Sequence, residues 1–152
     1  MAGVVVSALL PCPIEVAWAK MGDFTGWHTW LGRIRETAMD AGHEQGPVGG
    51  IRTLTLADGS TVRERLVEKD EVRHSFAYVF DGPHPFPVRA YTGRVRMDPV
   101  TTTGETFVHW SGEFDADADA ESKAAHVFAS IYTSFLAGLA EALGSAPVEL
   151  QV

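Results

Sequence analysis

The stretch that decides the fold is RTLTLADGSTVRERL, residues Arg52–Leu66. It predicts two strands, because leucine and valine alternate with polar residues at period two on both sides of the turn signal ADGS. Two opposite charges, Arg52 and Glu64, stand at positions of this alternation that otherwise hold apolar residues. Either they are ordinary surface charges, or they form a polar pair on the buried face of a hairpin.

The pairing of the two strands decides between these alternatives. A three-residue loop at 57–59, with Gly59 in the left-handed conformation, matches the apolar residues of the two strands and sets Arg52 opposite Glu64. A two-residue turn would shift the register by one and set Arg52 opposite Arg65, which repulsion between like charges disfavours. We therefore expect Arg52 and Glu64 to form an ion pair on the concave side of a sheet.

Similar alternation, broken by short turn signals, continues on both sides of this hairpin. It predicts strands at residues 4–9, 33–39, 49–56, 61–69, 73–81, 88–98 and 105–114. Helical spacing predicts two short helices after the first strand, at 14–21 and 24–32, and a long amphipathic helix at 118–143, followed by a loosely held tail, SAPVELQV. The order is that of a single α+β domain, residues 1–152, whose curved antiparallel seven-stranded sheet wraps around the C-terminal helix and leaves an internal cavity.

The composition limits the partners and the chemistry. The formal net charge of −8 works against binding to nucleic acid or to anionic membranes, and no apolar run approaches the roughly 18–20 residues of a membrane span. Cys12 is the only cysteine, and the histidines lack the spacing of zinc ligands, so we expect no disulfide, no metal and no cofactor. No basic residue precedes the apolar N-terminal stretch, which argues against a secretory signal. We expect a cytoplasmic protein, either a monomer or a homodimer.

The chain resembles a known superfamily in segments that cover most of its length. These segments are PIEVAWAKMGDFTGWHTW, GPVGGIRTLTLADGSTVRERL, HSFAYVF, PFPVRAYTGRVRM and HWSGEF, together with the final helix. They are similar to the Bet v 1-like, START-related (SRPBCC) superfamily with the helix-grip fold, and more narrowly to its bacterial polyketide cyclase/dehydratase-like branch. The resemblance implies a hydrophobic small-molecule ligand or substrate, although superfamily members also include hydrolases and carriers.

Three polar residues are the candidates for chemistry in the predicted cavity. Glu64 is a candidate proton acceptor, Tyr78 offers a phenol hydroxyl, and Arg52 is a candidate anchor for a substrate oxygen. The residues expected to line the cavity and bind the substrate are Trp27, Trp30, Leu54, Phe76, Phe80, Tyr91, Trp110, Phe114, Tyr132 and Phe135. An apolar chamber with a few polar groups is typical of a small-molecule site.

Three functions are compatible with such a chamber. The leading hypothesis is a cofactor-independent enzyme that cyclises or dehydrates a polyketide-like molecule by non-covalent acid/base catalysis. The alternative is a non-catalytic carrier or sensor of a hydrophobic ligand, in which the Arg52–Glu64 pair is structural. A third hypothesis is an interaction module that acts on a partner protein.

Overall fold

The computed structural model describes residues 2–144, and its elements follow the order that the sequence predicts. They are β1 (Ala2–Leu10), α1 (Ile14–Met21), a 3-10 helix (Trp27–Thr29), β2 (Ile34–Met39), β3 (Ile51–Leu56), β4 (Thr61–Asp70), β5 (Ser75–Phe80), β6 (Ala90–Val100), β7 (Glu105–Asp115) and α2 (Glu121–Gly144). The predicted tail, SAPVELQV, lies outside the described residues.

The seven strands form one antiparallel sheet in the order β1-β7-β6-β5-β4-β3-β2. Strands β2 to β7 follow each other as hairpins, and β1 completes the sheet beside β7. Helix α2 lies on the concave face, where Phe128, Tyr132, Leu136 and Leu139 are buried. The α+β helix-grip architecture is therefore confirmed.

The β3–β4 hairpin has the register that its apolar pattern predicts. Arg52 pairs with Glu64, and Leu54 pairs with Val62. Gly59 has a φ of +89°, in the left-handed region. Glycine adopts this conformation without steric strain because it has no Cβ atom. The polar pair of the hairpin consequently lies on the concave face of the sheet.

The convex face of the same hairpin carries charges that pair with each other. Arg63 bonds to Asp40 and Asp81, and Arg65 bonds to Asp81. These side chains are half-exposed. The hairpin therefore keeps its solvated charges and its buried charges on opposite faces.

The prediction of a second short helix at 24–32 is wrong in length. Only Trp27–Thr29 form a 3-10 turn. Asp23 Oδ1 accepts the backbone N–H and the hydroxyl of Thr25, and the Gly26 N–H bonds to the Asp23 carbonyl oxygen, which closes a local turn. Gly26 then has a φ of −121°, outside the helical range, so the chain does not continue this turn as an α-helix. The Trp27 indole N–H donates to the carbonyl oxygen of Met21 at 3.0 Å and fixes the ring in the core.

The turn between β4 and β5 also lies later than the sequence predicts. The predicted strands, 61–69 and 73–81, leave a turn at 70–72, whereas β4 runs to Asp70 and the turn spans residues 71–74. Asp70 Oδ1 accepts the backbone N–H groups of Val72 and Arg73, which stabilises the turn at this point.

Helix α2 also has the length and composition of a membrane span. It is the one helix within residues 2–144 that meets this criterion, with a mean hydropathy of 1.4. The expectation that no segment reaches such a length was therefore too strict. The core helix of a soluble domain meets the same criterion, and one side of α2 is buried against the sheet.

Candidate functional site

A cavity of about 380 Å³ lies between the concave face of the sheet and α2. Most of the residues that the sequence assigned to a site contribute to its wall. These residues are Trp27, Leu54, Glu64, Tyr78, Phe80, Tyr91, Trp110, Tyr132 and Phe135. The wall is thus mainly aromatic, with few polar groups.

Three aromatic residues that were expected to line this cavity lie outside its wall: Phe114 and Phe76 are in the core, and Trp30 is partly buried against it. Phe114 is fully buried and packs on Phe128, with a centroid distance of 5.6 Å. Phe76 packs on Trp27 at 6.2 Å, and Trp30 packs on Trp27 at 5.8 Å. Trp27 itself lines the cavity, so these two rings support a wall residue.

Several residues of the cavity wall were not predicted from the sequence. They are Arg33, Leu56, Ala57, Asp58, Val62, Phe86, Phe128 and Ile131. The strand alternation contains the signal for Leu56 and Val62, and the amphipathic pattern of the long helix contains the signal for Phe128 and Ile131. The remaining four lie in connecting segments, whose approach to the cavity no periodic pattern encodes.

Arg52 is held beneath the cavity wall rather than on it. Its Nε and Nη2 donate to Glu64 Oε1 at 3.0 and 2.7 Å, and its Nη1 donates to the carbonyl oxygen of Phe24 at 3.0 Å. The guanidinium carbon lies 3.8 Å from the Phe24 ring centroid and 4.1 Å from that of Trp27. The side chain is 0% exposed. The expectation that Arg52 contacts a substrate oxygen directly does not fit this placement, because its donors are directed at Glu64 and at the backbone.

Glu64 lines the cavity and uses only one of its two carboxylate oxygens to bond to Arg52. Both bonds from Arg52 end on Oε1, whereas Oε2 accepts no hydrogen bond from any side chain or backbone group within residues 2–144. The Glu64 side chain keeps 9% exposure, and it lines the cavity. Because Arg52 fixes the carboxylate and balances its charge, Oε2 is a positioned hydrogen-bond acceptor in an apolar chamber.

Three tyrosines meet across the cavity and form what we call the tyrosine cluster: Tyr78, Tyr91 and Tyr132. The Tyr78 and Tyr91 hydroxyl oxygens are 3.0 Å apart, and the Tyr91 hydroxyl also bonds to that of Tyr132. The Trp110 indole N–H donates to the Tyr78 hydroxyl at 3.1 Å. The Tyr78 hydroxyl therefore has two partners, Tyr91 and Trp110, and Tyr78 lines the same cavity as Glu64.

The tyrosine cluster is neutral near neutral pH. Burial raises the pKa of Tyr78, and the negative charge of Glu64 raises it further. Burial likewise raises the pKa values of Tyr91 and Tyr132 well above the ordinary range. All three phenols therefore keep their protons and remain able to donate hydrogen bonds.

Two glycines in the sheet make room for the cluster. Gly93 on β6 and Gly112 on β7 pair with each other. A Cβ atom at Gly93 would lie 2.3 Å from Cζ of Tyr78, and one at Gly112 would lie 2.3 Å from the hydroxyl oxygen of Tyr132. Sequence reasoning missed them, although glycine inside a strand is a signal of close approach.

The fold and the cavity define a helix-grip protein with an internal chamber. The family described as "Polyketide cyclase / dehydrase and lipid transport" matches residues 1–144, and the chain belongs to this family. This membership confirms the resemblance seen in the sequence, and it supports a polyketide-related role. Among curated proteins, no sequence matches the chain significantly.

Solved structures show the same fold. An uncharacterized protein from Bacillus thuringiensis is 26% identical, with a TM-score of 0.84 over 95% of this chain and 100% of that one. The protein XoxI from Bacillus cereus is also 26% identical, with a TM-score of 0.84 over 95% of this chain and 97% of that one. The di-domain ARO/CYC BexL from the BE-7585A biosynthetic pathway is 14% identical, with a TM-score of 0.79 over 95% of this chain and 47% of that one. At this identity, BexL shows the fold alone.

Proposed function

We propose that the protein binds a hydrophobic polyketide-like molecule in this cavity and promotes its cyclisation or dehydration by non-covalent acid/base catalysis. The observation that carries the proposal is the Glu64 carboxylate in the cavity wall, which Arg52 fixes through Oε1 while Oε2 has no hydrogen-bond partner within residues 2–144. A proton acceptor in a chamber of aromatic residues suits a substrate that is itself apolar and carries weakly acidic C–H bonds. Membership of the cyclase/dehydrase family is consistent with this chemistry.

The reaction needs one proton acceptor and donors for developing negative charge. Glu64 Oε2 takes a proton from a methylene group between two carbonyls, and the resulting enolate carbon attacks a second carbonyl carbon of the folded chain. The protonated Glu64 returns the proton to the new alkoxide. Dehydration then transfers a further C–H proton to Glu64, and Glu64 delivers this proton to the departing hydroxyl group, which leaves as water. The aromatic walls hold the flexible chain in the folded pose that brings the reacting carbons together.

Glu64→Gln tests this proposal directly. The amide keeps the size of the side chain but cannot act as the base, so we expect turnover of a linear poly-β-ketone probe to fall by about 10²-fold or more, with binding largely retained. Turnover is measured as the appearance of aromatic absorbance and as loss of water by mass spectrometry. Binding is measured by quenching of tryptophan fluorescence.

Glu68→Gln is the matched control. Glu68 pairs with Arg94 on the convex face, and both side chains are more than half exposed, so this change removes a carboxylate that does not touch the cavity. We expect turnover in this variant to equal that of the unchanged protein. Equal turnover in the Glu64→Gln variant would contradict the assignment of Glu64 as the base.

A carrier of a hydrophobic ligand is the second candidate function. It is favoured by the extensive bonding within the tyrosine cluster, which leaves few polar groups for chemistry. A carrier predicts that the ligand is recovered unaltered after incubation, and that Glu64→Gln changes only its affinity. Mass spectrometry of molecules that co-purify with the protein, before and after incubation, separates the two functions.

A further inference from the structure

The residues that line the cavity are buried at one end and exposed at the other. Glu64, Tyr78 and Trp110 are buried, so they mark the inner end of the cavity. Three lining residues are exposed to solvent and mark its mouth: Arg33, Ala57 and Asp58. A ligand that fills the cavity therefore has one end close to Arg33, beside the loop between β3 and β4.

The charge of Arg33 is not used inside the part of the protein that the structure describes. Six other arginines pair with carboxylates: Arg52, Arg63, Arg65, Arg89, Arg94 and Arg96. Arg35 donates to the carbonyl oxygen of Ala57. Within residues 2–144, the Arg33 guanidinium has neither an ion pair nor a hydrogen-bond acceptor. A planar guanidinium that is free at the mouth of a mainly aromatic cavity suits a carboxylate, which it binds through two parallel N–H groups.

The mouth is built so that Arg33 stays in position and stays free. Its carbonyl oxygen accepts the N–H of Ala57 at 2.9 Å, which ties the start of β2 to the loop after β3. Asp58 is the acidic residue of the mouth, and its Oδ1 accepts the N–H and the hydroxyl of Ser60 at 2.9 and 2.6 Å. The Asp58 carboxylate is thus bonded within its own turn, and it forms no ion pair with Arg33.

The inner end of the cavity carries the opposite charge. Glu64 lines it, and Arg52 is already bonded to Glu64 and to the backbone, so Arg52 offers no second site for an anion. A ligand carboxylate at this end would lose its hydration and would face the like charge of Glu64. At the mouth, the same carboxylate stays hydrated and meets Arg33. The two charges of the wall therefore favour one orientation of an apolar acid, with its apolar part inwards.

We propose that Arg33 binds a carboxylate of the ligand at the mouth, while the apolar remainder of the ligand lies between the sheet and α2. The inference rests on the ligand-binding part of the proposed function, and it narrows the ligand class to apolar molecules that end in a carboxylate. Arg33 is then a specificity-determining residue, and the negative charge at one end of the ligand is the feature that it recognises.

The spacing along β3 sets the length of a suitable ligand. Leu56 pairs with Ile34, the residue after Arg33, and Arg52 pairs with Glu64. The four positions from Leu56 to Arg52 correspond to roughly 13 Å of strand. A molecule of about this length reaches from the mouth to the inner end of the cavity.

Three probes with the same apolar part test the inference on the whole chain. They are 3-(2-naphthyl)propanoate, its neutral amide and the cationic 3-(2-naphthyl)propan-1-amine. Dissociation constants are measured by isothermal titration calorimetry at low ionic strength. We expect the carboxylate to bind about five-fold more tightly than the amide, which is the upper range for an exposed charge pair, and the amine to bind most weakly. The net charge of −8 alone would favour the amine, so this order reports a local cation.

Three variants separate Arg33 from the overall charge of the protein. Arg33→Gln removes the proposed partner, so we expect the preference for the carboxylate over the amide to fall to about one-fold. In Arg33→Glu the amine should become the tightest of the three probes. Arg73→Gln is the matched control, because Arg73 is exposed, forms no ion pair within residues 2–144 and lies outside the cavity wall. It changes the net charge as Arg33→Gln does, yet the preference should persist. Thermal unfolding confirms that each variant is folded.

The outcomes distinguish the inference from the proposed function. Loss of the carboxylate preference in Arg33→Gln but not in Arg73→Gln supports the inference. Equal affinity of the unchanged protein for all three probes, a preference that persists in Arg33→Gln, or an equal loss in both variants overturns the assignment of Arg33 and leaves the proposed function standing. Failure of the unchanged protein to bind any probe contradicts the proposed function, and the inference fails with it. Unchanged turnover in Glu64→Gln, together with an Arg33-dependent preference, supports the inference and contradicts only the catalytic part of the proposed function.

Discussion

At the scale of single residues, the buried pair of Arg52 and Glu64 explains how a charge is tolerated inside this sheet. Arg52 is fully buried, yet its guanidinium meets Glu64, the Phe24 carbonyl and two aromatic faces. A planar guanidinium suits this setting, because it stacks on rings and forms directed bonds in its own plane. The pair therefore holds Glu64 in one orientation.

Replacing only one partner of the pair should lower the free energy of unfolding more than replacing both partners. Glu64→Leu leaves a buried guanidinium without its counter-charge, so we expect the free energy of unfolding to fall by about 3–5 kcal/mol. In the double variant Arg52→Met/Glu64→Leu, the free energy of unfolding should fall much less, because no unpaired charge remains. Urea denaturation monitored by tryptophan fluorescence measures both values.

The exposed pair of Arg94 and Glu68 provides the comparison for this prediction. Glu68→Leu should change the free energy of unfolding by no more than about 1 kcal/mol, since solvent screens the pair. The pair would not be a coupled unit if the free energy of unfolding fell as far in the double Arg52/Glu64 variant as in the Glu64 single variant.

At the scale of elements, strands β5, β6 and β7 pack closely because large side chains lie beside glycines, which have no side chain. Tyr78 on β5 pairs with Gly93 on β6, and Gly93 pairs with Gly112 on β7. The two glycines let the tyrosine rings approach the backbone, where any Cβ would collide with them. The positions of the tyrosine hydroxyls consequently depend on neighbouring strands.

Alanine at either glycine should disturb the cluster. We expect Gly93→Ala and Gly112→Ala each to lower the free energy of unfolding by about 1–3 kcal/mol, because the added methyl overlaps a buried ring or hydroxyl. Gly32→Ala is the control, since a Cβ there meets nothing within 4 Å, and its effect should stay within about 0.5 kcal/mol. Chemical denaturation of the three variants provides the comparison, and equal effects would refute the steric argument.

At the scale of the whole molecule, the tyrosine cluster couples folding to alkaline pH. The chain has three tyrosines, and all of them belong to the cluster. Burial raises their pKa values in the folded protein above the ordinary value of 10.0. Between that value and the folded pKa values, the unfolded chain releases protons that the folded chain retains, so stability falls as the pH rises.

We therefore expect the cluster to make its full contribution to the free energy of unfolding below pH 10.0. This contribution should be lost progressively as the pH rises above that value. The free energy of unfolding should fall by about 1.4 kcal/mol per pH unit for each tyrosine. The ultraviolet absorbance of tyrosinate should appear together with unfolding, because every tyrosine is buried. A triple Tyr→Phe variant should lose this part of the pH dependence, and tyrosinate absorbance in the folded protein near pH 10.0 would contradict the prediction.

Much of the fold could be predicted from local sequence. The alternation around Gly59, together with the avoidance of like charges, was sufficient to predict that Arg52 lies opposite Glu64. The long amphipathic helix predicted at 118–143 is likewise observed, and one side of α2 is buried against the sheet. The short helix at 24–32 was not predictable in the same way, because the turn made by Asp23 competes with helical propensity over only a few residues.

The sequence by itself determined the order of the strands along the chain and the register of β3 with β4. It also determined which charges lie on the concave face. These features follow from the period of the apolar residues and from turn chemistry, both of which involve near neighbours in the chain. Only the tertiary structure decided that Arg52 lies behind the wall, that Glu64 lines the cavity and that Tyr132 meets Tyr91 from a position 41 residues away. Those features depend on how far apart the sheet and α2 pack, and on glycine gaps in neighbouring strands, which no local pattern encodes.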